Sequence, residues 1–289
     1  MAITVNTNIP SLTAQKSLNN ATNRMNTAME RMSTGLKINS SKDDAAGMAV
    51  STKLDYKVSS LSVAQDNGQM GASMLDTAEG VLGVISDNLV RVRDLTEQAA
   101  NGTYGTDALT AIKTEVEARL NEIDRLAQSS EFNSRILFDG SIKDGIKLQV
   151  GITSNEDVST IELEKEIFAD ARATALIGKP FGQGNIHGMC YQAYSNDDKA
   201  REFLSYVDKA LEKVTDRTTK IGGRQQRIIS AMNAAGVMET NLTSASSLIK
   251  DADIAEESSN YVKQQILQQT SASLLATANQ APSIALNLV

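Results

Sequence analysis

The sequence predicts a mainly α protein in which long heptad-patterned helices form an antiparallel bundle built by both chain ends, with one small β-hairpin element. Three observations carry this. Apolar residues recur at seven-residue steps in two separate arms, from Leu54 to Leu89 and from Val207 to Ile249. Proline is absent from Ser11 to Lys179 and again from Phe181 to Ala281, which permits helices of that length. Between the arms, the turn dipeptides Asp139-Gly140 and Asp144-Gly145 precede a short alternating run.

The elements follow in order. Ala14, Leu18, Ala21, Met25, Ala28 and Met32 alternate spacings of four and three, one face of a first helix that Gly35 ends. A second helix is expected to start near Ser41, where Ser41-x-x-Asp44 resembles a capping box. From there Leu54, Leu61, Gly68, Leu75, Leu82 and Leu89 form one seam, and Ala64, Gly71, Ala78, Ile85 and Val92 the other. A shorter helix after Gly105 places Leu109, Ile112, Val116, Leu120 and Ile123 on one face. Ile146, Leu148 and Val150, a polar turn at Thr153 to Asp157, then Val158, Ile161 and Leu163 predict the hairpin. In the C-terminal arm Val207, Val214, Ile221, Ile228, Ala235, Leu242 and Ile249 keep a seven-residue step. Arg217 and Arg224 interrupt its second seam, so imperfect or wet packing is expected there. After a polar break at Lys250-Asp251-Ala252-Asp253, a terminal helix aligns Leu267, Ser271, Leu274, Ala278, Ala281, Ala285 and Leu288. Regular heptads in both arms imply near-parallel, left-handed packing of long helices.

Composition narrows the function. The 289 residues carry 28 Lys and Arg against 35 Asp and Glu, a net charge of −7 that supports neither a nucleic-acid groove nor an anionic-membrane surface. Both ends are uncharged, before Lys16 and after Lys263, and rich in Ser, Thr, Asn, Gln, Ala and Leu. No apolar run reaches the length of a membrane span, and Met1 to Asn6 lacks the features of a secretory leader. Aromatics make up 4% with no Trp, little for a stacking ligand pocket. Six of the eleven aromatics fall between Phe168 and Tyr206, together with the lone Cys190 and the lone His187. That stretch predicts a separate insert between the arms.

No catalytic, cofactor or metal site emerges. His187-x-x-Cys190 offers two ligands where a structural zinc needs four. Gly182-x-Gly184 with Gly188 lacks dinucleotide-loop spacing and follows no strand. Cys190 has no basic neighbours in sequence to lower its pKa, so a buried, inert thiol is expected. The Asn-x-Ser/Thr triplets at Asn20, Asn101 and Asn241 are read as chance matches. An ordinary enzyme is disfavoured.

The stretch Ser33-Thr34-Gly35-Leu36-Lys37-Ile38-Asn39-Ser40, with Lys42-Asp43-Asp44-Ala45-Ala46-Gly47, resembles the bacterial flagellins. So do Met1 to Leu18, Asn121-Glu122-Ile123-Asp124-Arg125, Glu131-Phe132-Asn133, Gln264-Gln265-Ile266-Leu267-Gln268-Gln269 and Ala278-Asn279-Gln280. The resemblance implies a structural, non-enzymatic filament subunit for swimming motility, without cofactor and secreted through the flagellum's own export apparatus. It implies an inner-core coiled-coil domain at 1–42 plus 250–289, an outer-core helical domain with a hairpin at 43–166 plus 200–249, and a short variable surface insert at 167–199. Leu18, Met25, Met32, Leu267, Leu274, Ala278 and Leu288 are the expected inner-core assembly residues. The implied partners are other copies of the chain, an export chaperone, and the filament cap and hook–filament junction proteins. Arg91-Val92-Arg93-Asp94-Leu95 is similar to an element through which the innate receptor TLR5 recognises flagellins, which marks Arg91, Leu95 and Glu115 as candidate receptor and subunit contacts. Alternatives are a hook–filament junction protein within the same resemblance, or, from another class, a soluble coiled-coil adaptor or a secreted enzyme. An adaptor is expected to keep charged flanks to its ends, and these ends have none.

Overall fold

The computed structural model describes residues 7–182 and 184–286, with side chains described as far as residue 280. Two compact units result: one takes the chain up to Val58 and from Thr240 onward, the other Ser59–Glu239. Two long helices, α2 (Ala45–Ala99) and α7 (Asp197–Lys250), contribute residues to both.

The first unit is built on α1 (Ile9–Thr34) and α8 (Ile254–Leu286), which run antiparallel. Asn8 caps α1 by accepting from Ser11 N at 3.1 Å, and Gly35 closes it in the left-handed region at φ 72°. A short bridge joins the segment after α1 to the segment before α8: Lys37 N donates to Lys250 O at 2.7 Å and Ala252 N to Gly35 O at 2.9 Å. The polar break at 250–253 separates α7 from α8, and Asp253 caps α8 by accepting from Ala255 N at 2.8 Å. The cap of α2 differs from expectation. Asp44 accepts from the amides of Ala46 and Gly47, both at 3.0 Å, so the helix starts at Ala45 and Ser41 lies outside it. An acceptor one position before the first helical residue reaches those orphan amides, and one four positions before does not.

In the second unit the predicted seams are the core. Leu61, Leu75, Leu82, Leu89, Ala64, Ala78, Ile85 and Val92 of α2 are buried, as are Val207, Val214, Ile221, Ile228 and Ala235 of α7. The two seam glycines mark where neighbours come closest. A Cβ on Gly68 would lie 2.8 Å from Met232 Cγ of α7, and one on Gly71 2.3 Å from Leu148 Cδ1. Helix α3 (Thr106–Ser129) buries Ile112, Val116, Leu120, Ile123 and Ala127. The predicted hairpin forms as β3 (Ile146–Gln149) and β4 (Thr160–Leu163), with Ile146 opposite Leu163 and Leu148 opposite Ile161. Its loop contains the one-turn helix α4 (Glu156–Ser159), which removes Val158 from the strand and leaves it 75% exposed. A second hairpin, β1 (Glu131–Phe132) with β2 (Arg135–Ile136), turns through Asn133 and Ser134 at φ 50° and 63°. Two left-handed central residues match the right-handed twist of paired strands.

Segment 167–199 is not the surface insert expected of it. It forms α5 (Ala173–Ile177), a 3-10 turn at Pro180–Gly182 and α6 (Ile186–Ala193). Ile167, Phe168, Leu176, Met189, Cys190 and Tyr194 belong to the same buried cluster as the α2, α3 and α7 seams. Its buried apolar residues lie partly on helices of 5 and 8 residues, too short to show a helical period in the sequence.

The arginines of α7 explain how the segment docks. Arg217 is buried, donating to Ala169 O at 2.8 Å and Asp170 O at 3.2 Å. Lys213 donates to Leu176 O at 2.6 Å, at the end of α5, and Arg224 pairs with Glu164. On α3, Asp124 accepts from Ala173 N at 2.7 Å, the first amide of α5. Where imperfect or wet packing was expected stands a row of cations that hold Glu164 and the carbonyls of Ala169, Asp170 and Leu176. Burial pushes the pKa of Arg217 and Lys213 down, as expected for cations whose main partners are carbonyl dipoles.

Candidate assembly surface

The charge-free ends meet in the α1–α8 pair. On α1 the predicted stripe faces the partner: Ala21 and Ala28 are buried, and Ala14, Leu18, Met25 and Met32 half-buried. On α8 the facing row is different. Glu257, Gln264 and Ser271 are buried at seven-residue steps, with Tyr261, Gln268, Leu275 and Ala278 half-buried beside them.

Of the residues expected on this seam, Ser271 and Ala278 lie on it, whereas Leu267 and Leu274 stand outside it, 44% and 58% exposed. Leu288 lies outside the described residues. A pattern search follows apolar side chains, but here polar groups satisfy each other across the pair. Arg31 pairs with Glu257 at 2.9 Å, Gln268 Nε2 donates to Thr22 Oγ1 at 3.0 Å, and Asn8 Nδ2 donates to Ala278 O at 2.7 Å. The signal that finds this row is the step 257, 264, 271, 278 read without regard to polarity.

The apolar side chains that the pair does not use are displayed. Ile9, Leu12, Met29, Ile266, Leu267 and Leu274 are each 44% or more exposed. Leu267 and Leu274 line an open apolar groove of about 770 Å3 with Ile9, Pro10, Ala14 and Ala278. Leucine and isoleucine on two adjoining helices, with few charges nearby, make a surface suited to covering by another apolar helix face.

The second candidate surface divides. Arg91 and Glu115 reach solvent and pair with each other at 2.9 Å, joining α2 to α3. Leu95 is 3% exposed and belongs to the buried cluster, so it cannot be a surface contact of this fold. Position 95 follows Val92 by about one helical turn and lies with it and Leu89 on the inward face.

His187 and Cys190 do not converge on a ligand. His187 Nδ1 lies 3.1 Å from Glu117 Oε1, Cys190 is buried, and burial pushes its thiol up to about 12. Among the described residues no three His, Cys, Asp or Glu side chains group as metal ligands. No helix among them is long and apolar enough to cross a membrane.

Comparison with known proteins matches both arms. The family model described as the bacterial flagellin N-terminal helical region matches residues 5–143, and that described as the C-terminal helical region matches 204–289. A flagellin of Xenorhabdus nematophila is 35% identical, with all of both chains covered. Polar flagellin F of Vibrio parahaemolyticus is 30% identical, again with full coverage of both. A flagellar filament 33 kDa core protein of Treponema phagedenis is 32% identical over 99% of each chain. A solved structure described as a flagellar hook-associated protein from Vibrio parahaemolyticus superposes with a TM-score of 0.61 at 16% identity, covering 72% of this chain and 99% of that one.

Proposed function

The chain belongs to the bacterial flagellin family, and on that premise we propose that it is a structural subunit polymerising into the flagellar filament for swimming motility. One observation carries the mechanism. The α1–α8 pair sets the small and apolar stripe of α1 against a polar row of α8 and turns Leu267, Leu274, Ile266 and Leu12 outward, which leaves these four for neighbours. Burying a leucine side chain contributes about 1.5–3 kcal/mol. Several such residues per subunit, repeated along a polymer, favour assembly strongly while leaving the lone pair weak.

The paired ends are assigned the inner-core role and Ser59–Glu239 the outer-core role, a division supported by the apolar exposure of the first and the large buried cluster of the second. Leu18, Met25, Met32 and Ala278 hold the pair together, and Leu267 and Leu274 face the next subunit. Relatives matched over their full length carry the names flagellin and flagellar filament core protein, which favours this reading over a hook–filament junction protein; the hook-associated neighbour speaks for the fold alone. An export chaperone, cap and junction partners, and passage through the flagellum's own channel, belong to the same proposal. Receptor contact at α2 and α3 would rest on Arg91 and Glu115.

Electron microscopy of purified protein after seeding tests the proposal. Long helical filaments are expected. Failure to elongate seeds under conditions that elongate a flagellin of known filament-forming ability contradicts it.

A further inference from the structure

We propose that Asn101, in the turn joining α2 to α3, is a site of covalent self-modification, converting through a cyclic imide to aspartate and isoaspartate. The chain holds two Asn-Gly pairs, Asn67-Gly68 and Asn101-Gly102, in opposite environments. The first lies inside α2. Gly68 is buried against Met232, and Asn67 Nδ2 donates to Gln149 O at 3.1 Å. Helical geometry keeps the Gly68 amide in the hydrogen-bond ladder, unavailable to the preceding side chain.

The second pair lies past the end of α2, where residues 101–105 are all exposed. The Gly102 N–H has no acceptor among the described residues. A Cβ at Gly102 would meet only Asp197 Oδ2, at 3.5 Å, an ordinary van der Waals contact. Thr103 N donates to Asn101 Oδ1 at 3.3 Å, which draws electron density from Cγ and prepares it for attack.

The chemistry is closed. Hydroxide from solvent removes the Gly102 amide proton, and the nitrogen bonds to Asn101 Cγ. The Cγ–Nδ2 bond then breaks, and the nitrogen leaves as ammonia after taking a proton from water. Water opens the ring at either carbonyl, giving aspartate or isoaspartate. One water is consumed and one ammonia released, with no electron transfer; the carboxylic acid formed gives its proton to solvent, so a neutral amide becomes a carboxylate. The new charge arises beside Asp197, Asp198 and Arg201, whose guanidinium already pairs with both acids and donates to Ala100 O at 3.2 Å.

The test is peptide mass spectrometry with isoaspartate detection on the full chain, incubated folded at mildly alkaline pH and, in parallel, unfolded in urea. In the fold Asn101 is expected to convert at least about tenfold faster than Asn67, the factor that corresponds to ~1.4 kcal/mol of local helix opening. In urea the two rates should converge. Gly102→Ala, at a position whose backbone angle suits any residue, should slow Asn101 severalfold and suppress the acidic band on isoelectric focusing. Equal rates at Asn67 and Asn101 in the fold, or an unchanged Asn101 rate in the Gly102→Ala variant, overturns the proposal.

Discussion

Arg217 shows how a single side chain can invert the reading of a heptad. At a seam position it is a defect for helix–helix packing, yet its two hydrogen bonds go to the carbonyls of Ala169 and Asp170, where they anchor the 167–199 segment. Replacing it, as in Arg217→Met, leaves both carbonyls without that donor and should cost about 1–3 kcal/mol. Urea unfolding measures the loss. Alkylation of Cys190 reports where it occurs, since that buried thiol should react faster once the segment loosens; unchanged stability and labelling would mean the anchor is idle. Asp124 makes a pH-dependent counterpart. Burial raises its pKa, opposed by the Ala173 amide and Arg172 and aided by the nearby Asp170. A carboxyl raised in the fold above its unfolded value makes the native state gain stability as pH falls through the raised value. Asp124→Asn keeps an acceptor for Ala173 and removes the charge. It should therefore stabilise by no more than ~1 kcal/mol near neutral pH after solvent screening, with the gain shrinking in acid. Thermal unfolding across pH checks the direction, and a destabilised variant at neutral pH contradicts it.

Among the elements, α8 separates pairing from assembly. Its inward row is Glu257, Gln264 and Ser271, and its outward row includes Leu267 and Leu274. Leu274→Asp places a carboxylate in water in the monomer, so monomer stability should change by less than ~0.5 kcal/mol. On the proposed contact, the filament would bury the same carboxylate without a partner, at several kcal/mol per ion. Circular dichroism should therefore match the wild type while seeded growth fails; normal filaments from this variant would remove Leu274 from the interface. The helices were legible because α2, α3 and α7 bury strict apolar rows, from Leu61 to Val92, Ile112 to Ala127 and Val207 to Ala235. The hairpin register was legible in Ile146, Leu148, Ile161 and Leu163 for the same reason. The α8 register was not, because its inward row is polar and Leu267 and Leu274 stand exposed. Residues 167–199 were misjudged as well: their two helices are too short for periodicity, and their anchors, Asp124, Lys213 and Arg217, come from distant parts of the chain. Leu95 went astray through resemblance, since a matched motif does not say which way a side chain points.

At the scale of the whole molecule, the two units differ in what holds them. Ser59–Glu239 has a continuous buried cluster that includes Phe138, Phe168 and Phe203. Among the described residues of the α1–α8 pair, the buried apolar side chains are Ala21 and Ala28, both small. Ordering each backbone residue costs roughly 1–2 kcal/mol, which two alanines and a polar seam do not offset over helices of 26 and 33 residues. The pair should therefore open readily in the monomer and become rigid only when neighbours cover its outward leucines, so that folding of the ends and growth of the filament are one event. Amide hydrogen exchange compared between dilute monomer and assembled filament tests this most directly. The account predicts fast exchange at Leu274 and Leu275 in the monomer, strong protection of both in the filament, and core-level protection of Leu82 and Ile221 in both states. Strong protection of Leu274 and Leu275 already in the dilute monomer would contradict it.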